Sequence, residues 1–381
     1  MEYRDFPNIK GSPSLLGFGL MRLPLNSDDP KDINYELGRE MISRALDRGI
    51  NYFDTAYMYH GYMSEIFVGE VLTKFPRDSF LLADKLPINS IDTLDQAKEI
   101  FAHQLEKCQV EFFDFYLLHS LHREAIDKVN RLGIYELLAD YKAQGVIKNL
   151  GFSIHDTPDV VENFTLQHDW DMVQIQLNYV DWELQNAKRS YQFLAEQNIP
   201  VVVMEPVRGG SLANLPADCK EKLKEADSTV SAASWAIRFV ASLSGVLTIL
   251  SGMSNPEQLE DNLCTIEGAY QISQAESDLL DEVRKLYLSS GRIPCTDCQY
   301  CMPCPYGVNI PESFSVYNRY LDSDDGGKFC KEYVMLDKGQ PDACTECREC
   351  EPKCPQKIKI SEELKKPRSY YEHITAPGCN L

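Results

Sequence analysis

The chain of 381 residues is long enough for a barrel-sized core plus a smaller module, and its 44% hydrophobic and 25% charged content is that of a folded globular protein. A formal net charge of −20, from 38 Lys and Arg against 58 Asp and Glu, excludes phosphate-backbone binding as the main business, because a nucleic-acid partner needs a basic footprint. The N-terminal MEYRDFPNIKGSPS has no apolar stretch of signal-peptide type and no later apolar run is long enough to span a bilayer, so a cytoplasmic protein without a membrane partner is expected.

From Ser14 to Gly252 short apolar runs alternate with helix-length amphipathic stretches, the rhythm of parallel strands joined by helical crossovers. Strands are predicted at residues 15–18, 50–54, 80–85, 113–119, 147–152, 172–176, 200–204 and 248–250. Eight is the number that a closed (β/α)8 TIM barrel requires, although a doubly wound open sheet alternates in the same way. Between them GREMISRALDR puts Met41, Ile42, Ala45 and Leu46 on one helical face with Gly49 as a stop, and residues 94–108 and 186–197 show the same spacing. A last amphipathic helix over 274–288 runs into SSGRIP, the expected boundary between a barrel domain at 1–288 and a second domain at 289–381.

Three of the predicted strands end on ionisable residues. NYFDTAYMYHGYMSE places Asp54 at a strand tip and Tyr59 in the following loop, FLLADK ends on Lys85, and FDFYLLH ends on His119. Singly, each has a bland reading as a cap, a strand end, a packed histidine or a pocket wall. Together they suit proton donation: Asp54 would hold Lys85, Lys85 would polarise the Tyr59 phenol, and His119 would orient a carbonyl or relay the proton.

Two cysteine runs follow the boundary. The second, CTECRECEPKCP, reproduces with Cys344, Cys347, Cys350 and Cys354 the C-x2-C-x2-C-x3-CP spacing of a bacterial ferredoxin. The first, CTDCQYCMPCPYG, has Cys295, Cys298, Cys301 and Cys304 with one residue fewer before its last cysteine. Metal is expected over disulfides in a reducing compartment, and two [4Fe-4S] clusters over four-thiolate zinc, whose CxxC pairs usually stand far apart. Between the runs, helical spacing surrounds Phe314, Tyr317 and Tyr320, with a turn at 324–327. Cys108, Cys219, Cys264, Cys330 and Cys379 read as ordinary small hydrophobes or surface thiols.

On LGFGLMRLP, FDTA followed by a tyrosine, the strand-end lysine and DFYLLH, the sequence resembles the aldo-keto reductases over about residues 14–265, in a branch with a C-terminal ferredoxin-like iron–sulfur domain. The resemblance implies a TIM barrel, an Asp54, Tyr59, Lys85 and His119 tetrad, NAD(P)H as coenzyme, and a small-molecule carbonyl or alcohol substrate. It carries coenzyme contacts onto Gly19, Leu20 and Met21, onto Ser153 and Gln174 for the carboxamide, and onto Met204 where relatives stack an aromatic ring. Pro206, Val207, Arg208 and Gly209 match the loop beside the pyrophosphate, and Gly252, Ser254, Gln258, Asp261 and Asn262 match the adenosine site. Gly252 and Gln258 stand where NADP-preferring relatives place Lys and Arg, which leaves NAD against NADP open.

The likeness to two-cluster ferredoxins implies crossed ligation. Cys295, Cys298, Cys301 and Cys354 would hold one cluster, and Cys344, Cys347, Cys350 and Cys304 the other. The leading expectation is hydride transfer with the clusters structural. The alternatives are a ferredoxin-linked oxidoreductase with an outside redox partner protein, and a nicotinamide-bound sensor with little turnover. Against the ferredoxin-linked reading, no flavin motif is recognisable to convert electron pairs into single electrons.

Overall fold

The computed structural model describes residues 1–267, 271–323, 325–336 and 339–376, so Cys379 and position 324 of the expected turn lie outside the described residues. All eight predicted strands form: β1 (Leu16–Gly19), β2 (Tyr52–Asp54), β3 (Leu81–Leu86), β4 (Phe113–Leu121), β5 (Ile147–Ile154), β6 (Met172–Gln176), β7 (Val201–Met204) and β8 (Val246–Ser251). They pair in parallel and in chain order, and β8 returns to β1 through Leu16↔Ile249 to close the barrel. The open-sheet alternative is thereby excluded.

Strand alternation sorts the side chains into two layers. Tyr52, Ala83, Phe115, Leu117, Met172 and Val202 pack together inside the barrel. Their neighbours Phe53, Leu82, Tyr116, Leu118, Val173 and Val201 face the helices, in a core shared with Met41, Ile42, Ala97 and Phe101. By the same parity Asp54, Lys85, His119, Gln174 and Met204 face inward, at the C-terminal ends of their strands. The opposite end is closed by the N-terminal segment, which bridges Tyr3 to Ser14 and lays Phe6 and Ile9 against the inner layer beside Leu81.

The chain divides into two compact units, Met1–Val207 with Ala233–Ser273, and Arg208–Ala232 with Gln274–Leu381. The first is the barrel. In the second, helix Ala217–Ala226 packs on helix Gln274–Ser289, with Cys219 Sγ 3.7 Å from the Val283 carbonyl and Lys222 paired to Glu282 at 2.5 Å. Its cores are small: Ile293, Val308, Ile310, Phe314, Ile358 and Ile360 form one, and Val316, Phe329, Tyr333 and Ile374 another. Two helices, Ile310–Ser323 and Gly326–Met335, separate the cysteine runs, and Asp325 caps the second of them. No described helix is long and apolar enough to cross a membrane.

Candidate functional site

The inward-facing ends of β2, β3 and β4 bring together the four residues singled out by the sequence. Lys85 and Asp54 are almost fully buried, with Nζ 2.6 Å from Oδ1, and the ammonium also donates to the Thr55 carbonyl at 2.7 Å. The Tyr59 ring lies over Lys85, its centroid 5.1 Å from Nζ, and meets His119 edge-on at 5.9 Å. The neighbouring Tyr57 instead packs on Tyr62 and over Lys107. The structure therefore distinguishes two tyrosines that sequence spacing alone separates only by count.

The loop bearing Tyr59 is held in an unusual backbone path. His60, Gly61 and Tyr62 have φ of 51°, 57° and 77°, conformations costly for residues with a Cβ. His60 fixes this turn from both ring nitrogens: Nε2 accepts from the Leu23 amide at 3.1 Å, so Nδ1 carries the proton and donates to the Pro30 carbonyl at 2.8 Å. Burial holds His60 below the usual histidine range, in keeping with that neutral form. Ser64 bonds Thr55 at 2.8 Å and closes the loop onto β2.

The electrostatics depart from the expected polarisation of Tyr59. Burial raises its phenol well above the ordinary value, the carboxylates Asp54, Asp84 and Glu205 push the same way, and Arg22 pulls it down. Lys85 spends its charge on Asp54 and Thr55, so the phenol stays firmly protonated. Burial also raises the Asp54 carboxyl, with Lys85 pulling against it. Burial lowers His119 well below its usual range, and Lys85 and His155 add to that, leaving a neutral imidazole at the site.

Behind Lys85 stands a second buried network that the motif reading missed. Asp84, on the outward parity of β3, accepts from the Lys85 amide at 2.8 Å, and Gln104 donates both to the Lys85 carbonyl at 3.0 Å and to Glu65 at 2.8 Å. Glu65 is completed by Lys107, and the Tyr116 hydroxyl donates to Gln104 at 2.5 Å. Burial, then the Glu65 charge, raises the Asp84 carboxyl well above the ordinary range. Gln104 sits in the stripe Ala97, Phe101, Gln104 and Cys108 of helix Leu94–Cys108, and a polar residue on an otherwise buried face was the available signal.

The coenzyme candidates fall into two sets. In the barrel unit, Gly19 ends β1, Leu20 and Met21 follow it, and Ser153, Gln174 and Met204 lie on β5, β6 and β7. Gln174 Nε2 reaches Met204 Sδ at 3.4 Å, while its Oε1 is buried with no hydrogen-bond partner, an acceptor suited to a carboxamide N–H₂. Ser153 Oγ takes the Ser120 amide at 2.8 Å. Pro206 and Val207 follow β7, Gly252 follows β8 with Arg22 against its α-carbon, and Ser254 is tied to Gln258 at 2.7 Å. Asp261 and Asn262 lie on helix Pro256–Ile266, where Asn262 bonds Ser251 at 2.7 Å. Arg208 and Gly209 belong to the other unit, and the Arg208 guanidinium bonds the Pro294 carbonyl at 3.3 Å and Gln356 Oε1 at 3.0 Å.

In that second unit one cavity is lined by Cys295, Cys298, Cys301 and Cys354, together with Thr296, Gln356, Ile310 and Phe314. Thiols from both runs thus line one space, whose remaining walls combine apolar side chains with Thr296, Gln299 and Gln356. Burial pushes Cys301 up to about 12, with Cys295 and Cys354 among the neighbours that add to it. Cys350 is raised to about 11 by burial, with Cys344 and Cys347 nearby, and Cys304 packs against the same small core. All twelve described cysteines are unbridged.

Comparison with known proteins agrees with this geometry. The profile of the Aldo/keto reductase family matches residues 15–285, and that of a 4Fe-4S dicluster domain matches residues 294–360. A probable aldo-keto reductase 1 of Glycine max is 27% identical over 223 residues, 55% of this chain and 62% of that protein. The NADH-specific methylglyoxal reductase of Escherichia coli (strain K12) is 22% identical over 303 residues, 66% of this chain and 89% of that one. Among solved structures, aldo-keto reductase AKR11C1 from Bacillus halodurans in its holo form superposes with a TM-score of 0.61 at 24% identity, covering 74% of this chain and 96% of that chain.

Proposed function

Because the chain belongs to the aldo/keto reductase family and carries a C-terminal 4Fe-4S dicluster domain, we propose that it exchanges a hydride between a nicotinamide coenzyme and a small carbonyl/alcohol pair, with Tyr59 handling the proton. The observation that carries this reading is the buried Lys85–Asp54 pair, 2.6 Å apart, under a tyrosine whose ring also meets His119. Asp54 holds the ammonium beneath Tyr59. The neutral His119 imidazole has an N–H to orient the carbonyl oxygen, and Tyr59, held protonated by burial, donates to that oxygen as it becomes an alkoxide. Lys85 then faces the phenolate that remains.

Ser153, Gln174, Met204, Gly252 and Ser254 would hold the coenzyme, the orphan Gln174 Oε1 taking the carboxamide. When bound, a nicotinamide supplies the hydride. Two curated relatives are methylglyoxal reductases, which makes small 2-oxoaldehydes the first substrates to try. The test is a carbonyl panel run with NADH and with NADPH on wild type and Tyr59→Phe; full turnover by the variant would refute the proton role.

The eight clustered cysteines fit two [4Fe-4S] clusters with crossed ligation, a reading supported by Cys354 sharing a cavity with Cys295, Cys298 and Cys301. Such clusters exchange single electrons, whereas hydride transfer moves a pair. Their role here is to fold a module whose own cores are small.

A further inference from the structure

We infer that Arg208 is a positioning residue for the cluster held by Cys295, Cys298, Cys301 and Cys354, and not a ligand of a nucleotide phosphate; this rests on the proposal that their cavity takes a [4Fe-4S] cluster. Arg208 is 1% exposed. Its Nη1 donates to the carbonyl of Pro294, the residue before Cys295, and its Nη2 to the side chain of Gln356, two residues after Cys354. One planar guanidinium thus spans the two cysteine runs at the place where each sends a thiol into the same cavity. Gln356 itself lines that cavity and donates to Thr296 Oγ1, another lining side chain, at 3.5 Å.

The backbone is committed to the same end. Arg208 has φ of 52°, a conformation that a residue with a side chain adopts at a cost. Gly209, at φ +62°, passes so close to Thr296 that a Cβ there would stand 2.1 Å from the Thr296 carbonyl oxygen, so only glycine lets the chain reach this position. Both deviations deliver the guanidinium to Pro294 and Gln356, which flank the lining cysteines Cys295 and Cys354. A four-iron cluster with four thiolate ligands carries net negative charge, and a fixed cation one residue from one ligand and two from another stabilises it while the fork holds the two runs in register. Lysine supplies the charge without the rigid planar fork; glutamine supplies neither charge nor fork.

The test uses anaerobically prepared full-length protein, with Arg208→Lys, Arg208→Gln and, as a variant that leaves Arg208 in place, Gln356→Leu. Three quantities are read: iron and sulfide content, the rate of iron loss to a chelator, and the cluster midpoint potential followed by electron paramagnetic resonance, with NAD⁺ and NADP⁺ affinities measured alongside. The expectation is that Arg208→Gln loses iron roughly tenfold faster, as the loss of charge-assisted hydrogen bonds implies, and titrates at a lower potential. Arg208→Lys should keep the potential near wild type and lose iron at an intermediate rate. Gln356→Leu should speed iron loss, and nucleotide affinities should stay within about twofold in all three, since no phosphate contact is removed. Wild-type iron retention and potential in Arg208→Gln and Gln356→Leu would overturn the inference. A selective loss of nucleotide affinity in Arg208→Gln would overturn it in favour of the phosphate-binding loop. Wild-type protein without iron and sulfide would instead refute the cluster reading on which the inference stands.

Discussion

Replacing Lys85 by methionine isolates the energetics of the buried pair. The ammonium is fully buried, Asp54 Oδ1 takes its hydrogen bond from it at 2.6 Å, and Asp54 Oδ2 has none. Methionine fills similar space but leaves a buried carboxylate uncompensated, which typically costs about 3–5 kcal/mol. The Thr55 carbonyl loses its donor as well, a further cost of about 1 kcal/mol. The carboxyl can escape by taking a proton, which costs about 1.4 kcal/mol for each unit by which the pH exceeds the unfolded value of about 3.9. The destabilisation should therefore grow from pH 6 to pH 9, and Asp54→Asn in the same background should recover most of it. Urea unfolding followed by tryptophan fluorescence reads this cleanly, because Trp170, Trp182 and Trp235, the chain's three tryptophans, all lie in the barrel unit. A Lys85→Met protein within about 1 kcal/mol of wild type at every pH would refute the reasoning, since a buried carboxylate would then have cost nothing.

Tyr59→Phe should lower carbonyl reduction about 10²–10⁴-fold while coenzyme titration by fluorescence stays unchanged. The pH profile of wild-type reduction should show no ionisation near the ordinary histidine value, because His119 is held neutral there; a step that disappears in His119→Asn would contradict this. Asp84→Asn should gain stability over wild type as pH rises. A carboxyl raised in the folded state lets the unfolded chain ionise first, so wild type loses stability upward from about pH 4, and a constant difference in Tm across pH would count against it. Anaerobic protein should hold about eight iron and eight sulfide, and single-turnover hydride transfer should run equally fast with clusters oxidised or reduced. Zinc without sulfide would defeat the first expectation, and cluster bleaching in each turnover the second.

The barrel was legible because its inner and outer layers are written as apolar runs that alternate by single residues, and because polar residues at strand tips interrupt those runs where packing alone would not put them. Asp54, Lys85 and His119 are such interruptions, all on one parity. Asp84 interrupts β3 on the other parity, and Glu65 and Gln104, which bond each other in the same network, come from two helices, so the network exists only once the helices dock. The state of Tyr59 was not readable either. Its acidity is shifted by how much water the site excludes and by the charges of Asp54, Asp84, Glu205 and Arg22, which are scattered through the chain. For Arg208, the resemblance sets PVRGG beside the pyrophosphate, and nothing local in it shows that the guanidinium bonds Pro294 and Gln356, 86 and 148 residues further on.

The second unit is not a tail. It includes Arg208–Ala232, which precede β8, and the barrel closes only when β8 returns to β1. A stop codon after residue 288 would therefore keep the packing of Ala217–Ala226 on residues 274–288 but leave Arg208 without Pro294 and Gln356. During synthesis the same topology imposes an order. The stretch after β7 emerges before β8, and Arg208 meets Gln356 only when the second cysteine run has left the ribosome. Anyone wishing to graft this module elsewhere must carry two pieces of chain, and anyone wishing to remove it must bridge β7 to the helix Ala232–Ala241 with new sequence.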